Sequence, residues 1–134
     1  MYRKIRMGMI GGGSDGFIGA IHRMAAQLDS QIELVCGAFS SDAEKSKNFG
    51  KSLFLPEDRV YGSFQEMIHK ESNLDVSKRM DFVSIVTPNH LHFEPAKLAL
   101  EKGFHVICDK PVTFNLEQAI ELQKLWMLLA FFLL

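Results

Sequence analysis

Short apolar blocks alternate along this chain with stretches in which apolar positions recur at helical spacing. Ile5 to Ile10 reads as a strand that ends on glycine. Phe17 to Leu28 predicts a helix, because Ile18, Ile21, Ala25 and Leu28 fall three or four residues apart. Ile32 to Phe39 is a second apolar block and predicts a strand. Ser41-Asp42-Ala43-Glu44 has the form of a capping box, which opens a helix through Phe49. Val60-Tyr61 is a minimal strand, and Ser63-Phe64-Gln65-Glu66 is a second capping box. The polar run Asn73 to Lys78 reads as a surface loop. Asp81 to Thr87 predicts the next strand, and His92 to Lys102 a helix that Gly103 can end. Phe104 to Cys108 is the last strand, and Asn115-Leu116-Glu117-Gln118 caps the last helix.

A strand followed by a helix, five times over, predicts an α/β fold. Parallel neighbours need crossover helices, so the expected architecture is a doubly wound, mostly parallel sheet with helices on both faces. In such a sheet the carboxyl ends of the strands share one edge, where ligands bind. Four polar or glycine-rich clusters follow predicted strands and are therefore expected to converge there. They are Gly11 to Gly16, Phe39 to Asp42, Thr87 to His92, and Asp109-Lys110-Pro111.

Each cluster suggests a chemistry. Gly11-Gly12-Gly13-Ser14-Asp15-Gly16 satisfies G-x-G-x-x-G between a strand and a helix, the context in which backbone N–H groups and a helix N-terminus hold a pyrophosphate. Asp15 is awkward beside such an anion unless its side chain points to solvent. Ser40 and Ser41, at the end of the second predicted strand, can bond a ribose hydroxyl or a 2′-phosphate, although Ser41 can equally serve as a helix cap. Asp42 is a weaker ribose candidate; Lys45 and Lys47 offer charge, and NAD against NADP stays open. Thr87-Pro88-Asn89 puts extended backbone and an amide where a nicotinamide ribose would pass. Lys110, between Asp109 and Pro111, places an ammonium at the crevice, where it can bond a substrate hydroxyl; a plain surface ion pair with Asp109 is the alternative. His22, His69 and His105 are read as structural.

Composition narrows the picture. At 134 residues, with 47% apolar residues, 23% charged and a net charge of -1, the chain is expected to be one soluble domain with a real core. Lys and Arg are matched by Asp and Glu, so no nucleic-acid footprint is expected. Cys36 and Cys108 lie far apart in apolar runs, which predicts buried thiols, a cytoplasmic protein and no metal site.

Taken in order, the glycine loop ending in "GAIH", the "TPNHLH" turn and "DKP" resemble the Gfo/Idh/MocA family of NAD(P)-dependent oxidoreductases, from Arg6 to about Leu125. The resemblance implies a dinucleotide-binding Rossmann domain, NAD or NADP as cofactor, and a sugar, cyclitol or related polyol as substrate. It implies that Lys110 is the active-site lysine and that Asp109 stands where the family usually has a glutamate one methylene longer. By the same carry-over, Gly11, Gly13, Ser14, Gly16, Ile18, Gly19, Ser40, Ser41, Thr87, Asn89, His92 and Lys110 are expected to face the cofactor. The family loop often runs G-x-G-x-x-G-x-x-H, so Gly19, three residues before His22, competes with Gly16 as the third fingerprint glycine.

Family members continue into a substrate domain that carries most of the catalytic base chemistry. Residues 1–125 are thus expected to be the nucleotide-binding domain, ending before that second domain, and 126–134 an apolar tail that arises from truncation or a frame change and extends the last helix. The run Leu125 to Leu134 is too short to span a bilayer, which takes about 20 helical residues, and a homo-oligomer is expected instead. A non-catalytic nucleotide-binding or regulatory module, or a nonfunctional truncated product, is the competing expectation.

Overall fold

A computed structural model of the chain describes residues 2–132. Four strands form the sheet: β1 (Ile5–Gly11), β2 (Ile32–Ala38), β3 (Phe82–Val86) and β4 (His105–Cys108). All neighbours pair parallel, in the order β2-β1-β3-β4. Five helices accompany them: α1 (Phe17–Gln27), α2 (Ala43–Ser52), α3 (Phe64–Asn73), α4 (Phe93–Glu101) and α5 (Leu116–Phe132). The expected doubly wound α/β architecture is present. Its one missing strand is Val60-Tyr61, which forms only an isolated bridge between Val60 and Gly37. The run between the flanking polar turns is too short to extend that pairing.

Alternate residues of a strand point to opposite faces, and the sheet carries a core on each. Met7 and Met9 of β1 and Phe82 and Val86 of β3 pack with Ile18 and Ala26 of α1. Ile10, Val83 and Ile85 pack on the other side with Met67 and Ile68 of α3, Ala96 and Ala99 of α4, and Leu122 of α5. Burial on both faces explains why β1 and β3 read as continuous apolar runs rather than alternating ones. β4 is the edge strand, and there alternation returns: Val106 and Cys108 face the second core, whereas Ile107 is 51% exposed.

Helix starts follow side-chain caps, with one correction. Ser63 Oγ accepts from Glu66 N and Asn115 Oδ1 from Gln118 N, as the sequence predicts. α2, however, is capped by Asp42, not Ser41: Asp42 Oδ1 accepts from the N–H groups of Glu44 and Lys45, both at 3.0 Å. A carboxylate one residue nearer the helix reaches both donors, and the helix continues past Phe49 to Ser52. His92 does not begin α4 but precedes it, after a 3-10 turn at Asn89–Leu91.

α5 runs without interruption across residue 125 as far as Phe132. Trp126, Met127 and Leu128 are exposed on it. Leu133 and Leu134, the end of the expected tail, lie outside the described residues. No helix among the described residues is long and apolar enough to cross a membrane.

Two buried polar devices fix the sheet's surroundings. Arg6, in the otherwise apolar β1, is buried; it donates to the carbonyls of Val76 and Ser77 and lies beside Asp81, so it holds the Asn73–Lys78 loop against the sheet. Glu71 of α3 is fully buried and accepts from Arg59, Tyr61 and the backbone N–H of Met80.

Candidate functional site

The chain order reverses between β1 and β3, and this is the point where open α/β sheets bind ligands. Two of the sequence clusters meet there directly. A Cβ added at Gly11 would lie 2.9 Å from the backbone nitrogen of Thr87, so the loop after β1 touches the end of β3. A Cβ added at Gly13 would lie 2.8 Å from the carbonyl oxygen of Phe39, at the end of β2. The loop is thus a strip of bare backbone held between its two neighbouring strand ends.

Inside the loop, Gly12 has φ +72°, a conformation that L side chains rarely adopt. Its carbonyl accepts from Arg23 Nη1 at 2.8 Å, and the same guanidinium lies over the Phe49 ring. Gly19 packs on it from α1: a Cβ there would sit 2.4 Å from Gly12 Cα, against 3.1 Å for one at Gly16. The close helix-to-loop approach that the third fingerprint glycine serves therefore falls to Gly19. Gly16 instead closes the turn, its N–H donating to Gly13 O at 3.0 Å. Asp15 is exposed, as compatibility with an anion requires.

α1 begins without a side-chain cap and has no acidic residue in its first turn. α2, α3 and α5 all satisfy their first N–H groups with a side chain. Those of α1, at the loop, are left for an outside acceptor. Ile18 belongs to this first turn through its backbone, while its side chain packs into the core. Ser14 is exposed beside the loop.

At the end of β2, Ser40 Oγ accepts from Asp42 N at 3.1 Å, and Ser41 is exposed. Ser46 braces this end from below: its hydroxyl accepts from Phe39 N and donates to Tyr61 O. After β3, Thr87 is half-buried and Asn89 exposed, in a turn where Thr87 Oγ1 donates to Leu91 O. After β4, Asp109 is half-buried and Lys110 exposed; no ion pair joins them among the described residues. The Lys110–Pro111 peptide is cis.

His92 is placed differently from the rest. It is 1% exposed, and its nitrogens face two backbone carbonyls, Nδ1 at 2.7 Å from Pro111 O and Nε2 at 2.8 Å from Thr87 O. It lies beneath the turns rather than on their open side. His22 Nδ1 meets the Ser84 hydroxyl at 2.8 Å and pins α1 to the sheet, in keeping with a structural role.

Cys36 is buried as expected, but Cys108 is only half-buried, because β4 is an edge strand. Burial, and then the charge of Asp109, push the Cys108 thiol up to about 11, so it is a protonated neighbour of the lysine turn and not a nucleophile. No metal-binding group of His, Cys, Asp or Glu occurs among the described residues. Two open grooves lie elsewhere, one along α2 and one between α1 and β2; neither is lined by the glycine loop, Thr87–His92 or Lys110.

Residues 5–127 match the model of the Gfo/Idh/MocA group, described as an oxidoreductase family with an NAD-binding Rossmann fold. The chain belongs to this family. A Gfo/Idh/MocA relative in Bacillus subtilis (strain 168), the uncharacterized oxidoreductase YfiI, is 40% identical over 127 residues, which are 92% of this chain and 31% of YfiI. The crystal structure of an oxidoreductase from Sinorhizobium meliloti is 49% identical, with a TM-score of 0.85, over 92% of this chain and 33% of that one. An inositol dehydrogenase homolog from Azotobacter vinelandii, solved with NADH and myo-inositol, is 37% identical with a TM-score of 0.90, over 96% of this chain and 33% of that one. The chain thus spans about a third of the length of these family members.

Arg23 and Glu71 escaped the sequence reading. Arg23 had a usable signal: it lies one helical turn after Gly19, on the side of α1 that faces the loop. Glu71 had none, being one more acid in a polar helix.

Proposed function

We propose that this chain is the nucleotide-holding part of an NAD(P)-dependent dehydrogenase acting on a polyhydroxylated small molecule such as a sugar or cyclitol. The observation that carries the reading is the backbone strip at Gly11–Gly13, held between Phe39 and Thr87 at the switch point and facing an uncapped helix start. A strip where a Cβ would collide with its neighbours suits a ligand that approaches backbone N–H groups closely, as a pyrophosphate does.

On this reading Gly11, Gly13, Ser14 and the first turn of α1, with Gly16 and Ile18, hold the pyrophosphate by backbone N–H groups, and Gly19 lets the helix approach. Asp42 is committed to the cap of α2, so the adenine-side ribose falls to Ser40 and Ser41, whose hydroxyls accommodate a 2′-hydroxyl or a 2′-phosphate. Thr87 and Asn89 line the nicotinamide side. Lys110 donates from its ammonium to the oxygen of the carbon being oxidised or reduced, and Asp109 helps to set its place. When bound, the nicotinamide supplies hydride chemistry at its C4. The relatives are three times as long, and the further chain they carry is assigned the remaining substrate contacts; this chain alone binds nucleotide without turnover.

The test is a fluorescence titration with NADH and NADPH of the unmodified chain and of Gly13→Val. The added side chain is directed at Phe39 O, 2.8 Å from the Cβ position, so the variant should bind at least about tenfold more weakly. Unchanged affinity in a variant with native circular dichroism would remove the glycine loop from the site.

A further inference from the structure

The turn that carries Lys110 and the turn that carries Thr87 and Asn89 follow different strands, and the buried His92 ring lies between them. Nδ1 faces Pro111 O at 2.7 Å and Nε2 faces Thr87 O at 2.8 Å. Both acceptors are backbone carbonyls, so the contacts report where the main chain of each turn is held. Every protonated ring nitrogen can donate to the carbonyl opposite it. With the ring 1% exposed, no water competes well for either carbonyl. Lys110 is the residue directly before Pro111 and is itself exposed, so little else restrains its position. The neighbouring Asp109 is anchored separately, its N–H donating to Ile85 O at 3.0 Å.

We propose that His92 is a positioning residue, which ties the Asp109–Thr113 turn to the Thr87–Leu91 turn and so sets where Lys110 stands relative to the nicotinamide side of the site. The inference rests on the dinucleotide reading above for its functional meaning, and on geometry alone for the tie. His92 is too deeply buried to be a contact residue itself. It acts through the two turns.

The experiment separates the two. Amide hydrogen exchange by mass spectrometry on the whole chain compares wild type with His92→Phe, His92→Asn and His92→Gln. Phenylalanine keeps a ring but no donor, and should raise exchange about tenfold in both turns while leaving α3 unchanged. The asparagine amide can occupy the place of Nδ1, so His92→Asn should keep Lys110–Thr113 protected and free only the Thr87 turn. Glutamine reaches the place of Nε2 and should do the reverse. A side chain needed only for packing would not give this crossed pattern. Equal loosening of both turns by all three variants, or no loosening by any, overturns the tie.

NADH and ADP-ribose titrations on the same proteins read the functional half. His92→Phe should lose about tenfold in NADH affinity, with ADP-ribose, which lacks the nicotinamide, held within about twofold. Equal losses for both ligands, or a loss for neither, overturn the proposed orientation of the nicotinamide side. If wild type binds neither ligand, the dinucleotide reading and the functional half of the inference both fall, and the exchange pattern still decides the tie.

Discussion

Glu71 offers the sharpest test of how the site is supported. Its carboxylate is fully buried and accepts four hydrogen bonds: from Arg59 Nε at 2.8 Å, Arg59 Nη2 at 3.0 Å, Tyr61 OH at 2.8 Å and Met80 N at 2.9 Å. Burial, and then this carboxylate, push the Tyr61 phenol well above its ordinary value, so Tyr61 stays a donor. Glu71→Ala would strand the Arg59 guanidinium, whose side chain is only 17% exposed, together with a buried hydroxyl and a buried N–H. Breaking one partner out of a buried pair costs about 3–5 kcal/mol. For a domain of this size each kcal/mol lowers Tm by roughly 3–5 °C, so the variant should melt on the order of 10–25 °C below wild type. Glu71→Gln should fall between the two, because an amide NH2 must face a donor. The consequence reaches the site, since Tyr61 also fixes Ser46, and Ser46 holds Phe39 beneath the glycine loop. Thermal and urea unfolding followed by circular dichroism give the magnitude. A loss below about 1 kcal/mol for Glu71→Ala, at unchanged urea slope, would refute the idea that this network is closed and dry.

Two further predictions concern acid and the surface. The Arg3 guanidinium, with the Arg6 backbone N–H, holds the Asp81 carboxyl at about 2, below its ordinary 3.8; its folded value is depressed, so its stabilisation is complete above about pH 4 and lost as pH falls toward 2. The gap in Tm between wild type and Asp81→Asn should therefore shrink across that window, and a constant gap from pH 6 to pH 2 would contradict it. Trp126, Met127 and Leu128 leave an apolar surface exposed on α5, and we expect the chain to self-associate through it. Light scattering after size exclusion, on chains ending at Lys124 and at Leu134, checks this; two equal monomers would show that the tail is inert.

Much of the architecture was legible because it rests on local chemistry. Burial on both faces writes β1 and β3 as unbroken apolar runs, and the caps at Ser63 and Asn115 need only a few neighbouring residues. Where two local solutions competed, sequence could not choose between them. Ser41 and Asp42 both suit an N-cap, and only the path of the chain out of β2 gives the bond to Asp42. Val60-Tyr61 has the residues of a strand, yet its partner strand offers a single bridging position at Gly37.

The site divides along the same line. Glycines announce a backbone approach by their identity, so Gly11 to Gly19 stood out at once. Deciding between Gly16 and Gly19 took the depth at which α1 meets Gly12, a tertiary distance that no spacing encodes. His92 shows the limit most clearly. A histidine in a polar turn after a strand reads as a residue that touches the ligand, because exposure is the default for such turns. Here the 3-10 turn at Asn89–Leu91 rotates the chain so that His92 enters the interior and meets a carbonyl 19 residues further on. The motif marked the right place in the chain. What the residue does there depends on the turn after β4, and that turn reaches the ring only once β3 and β4 have paired.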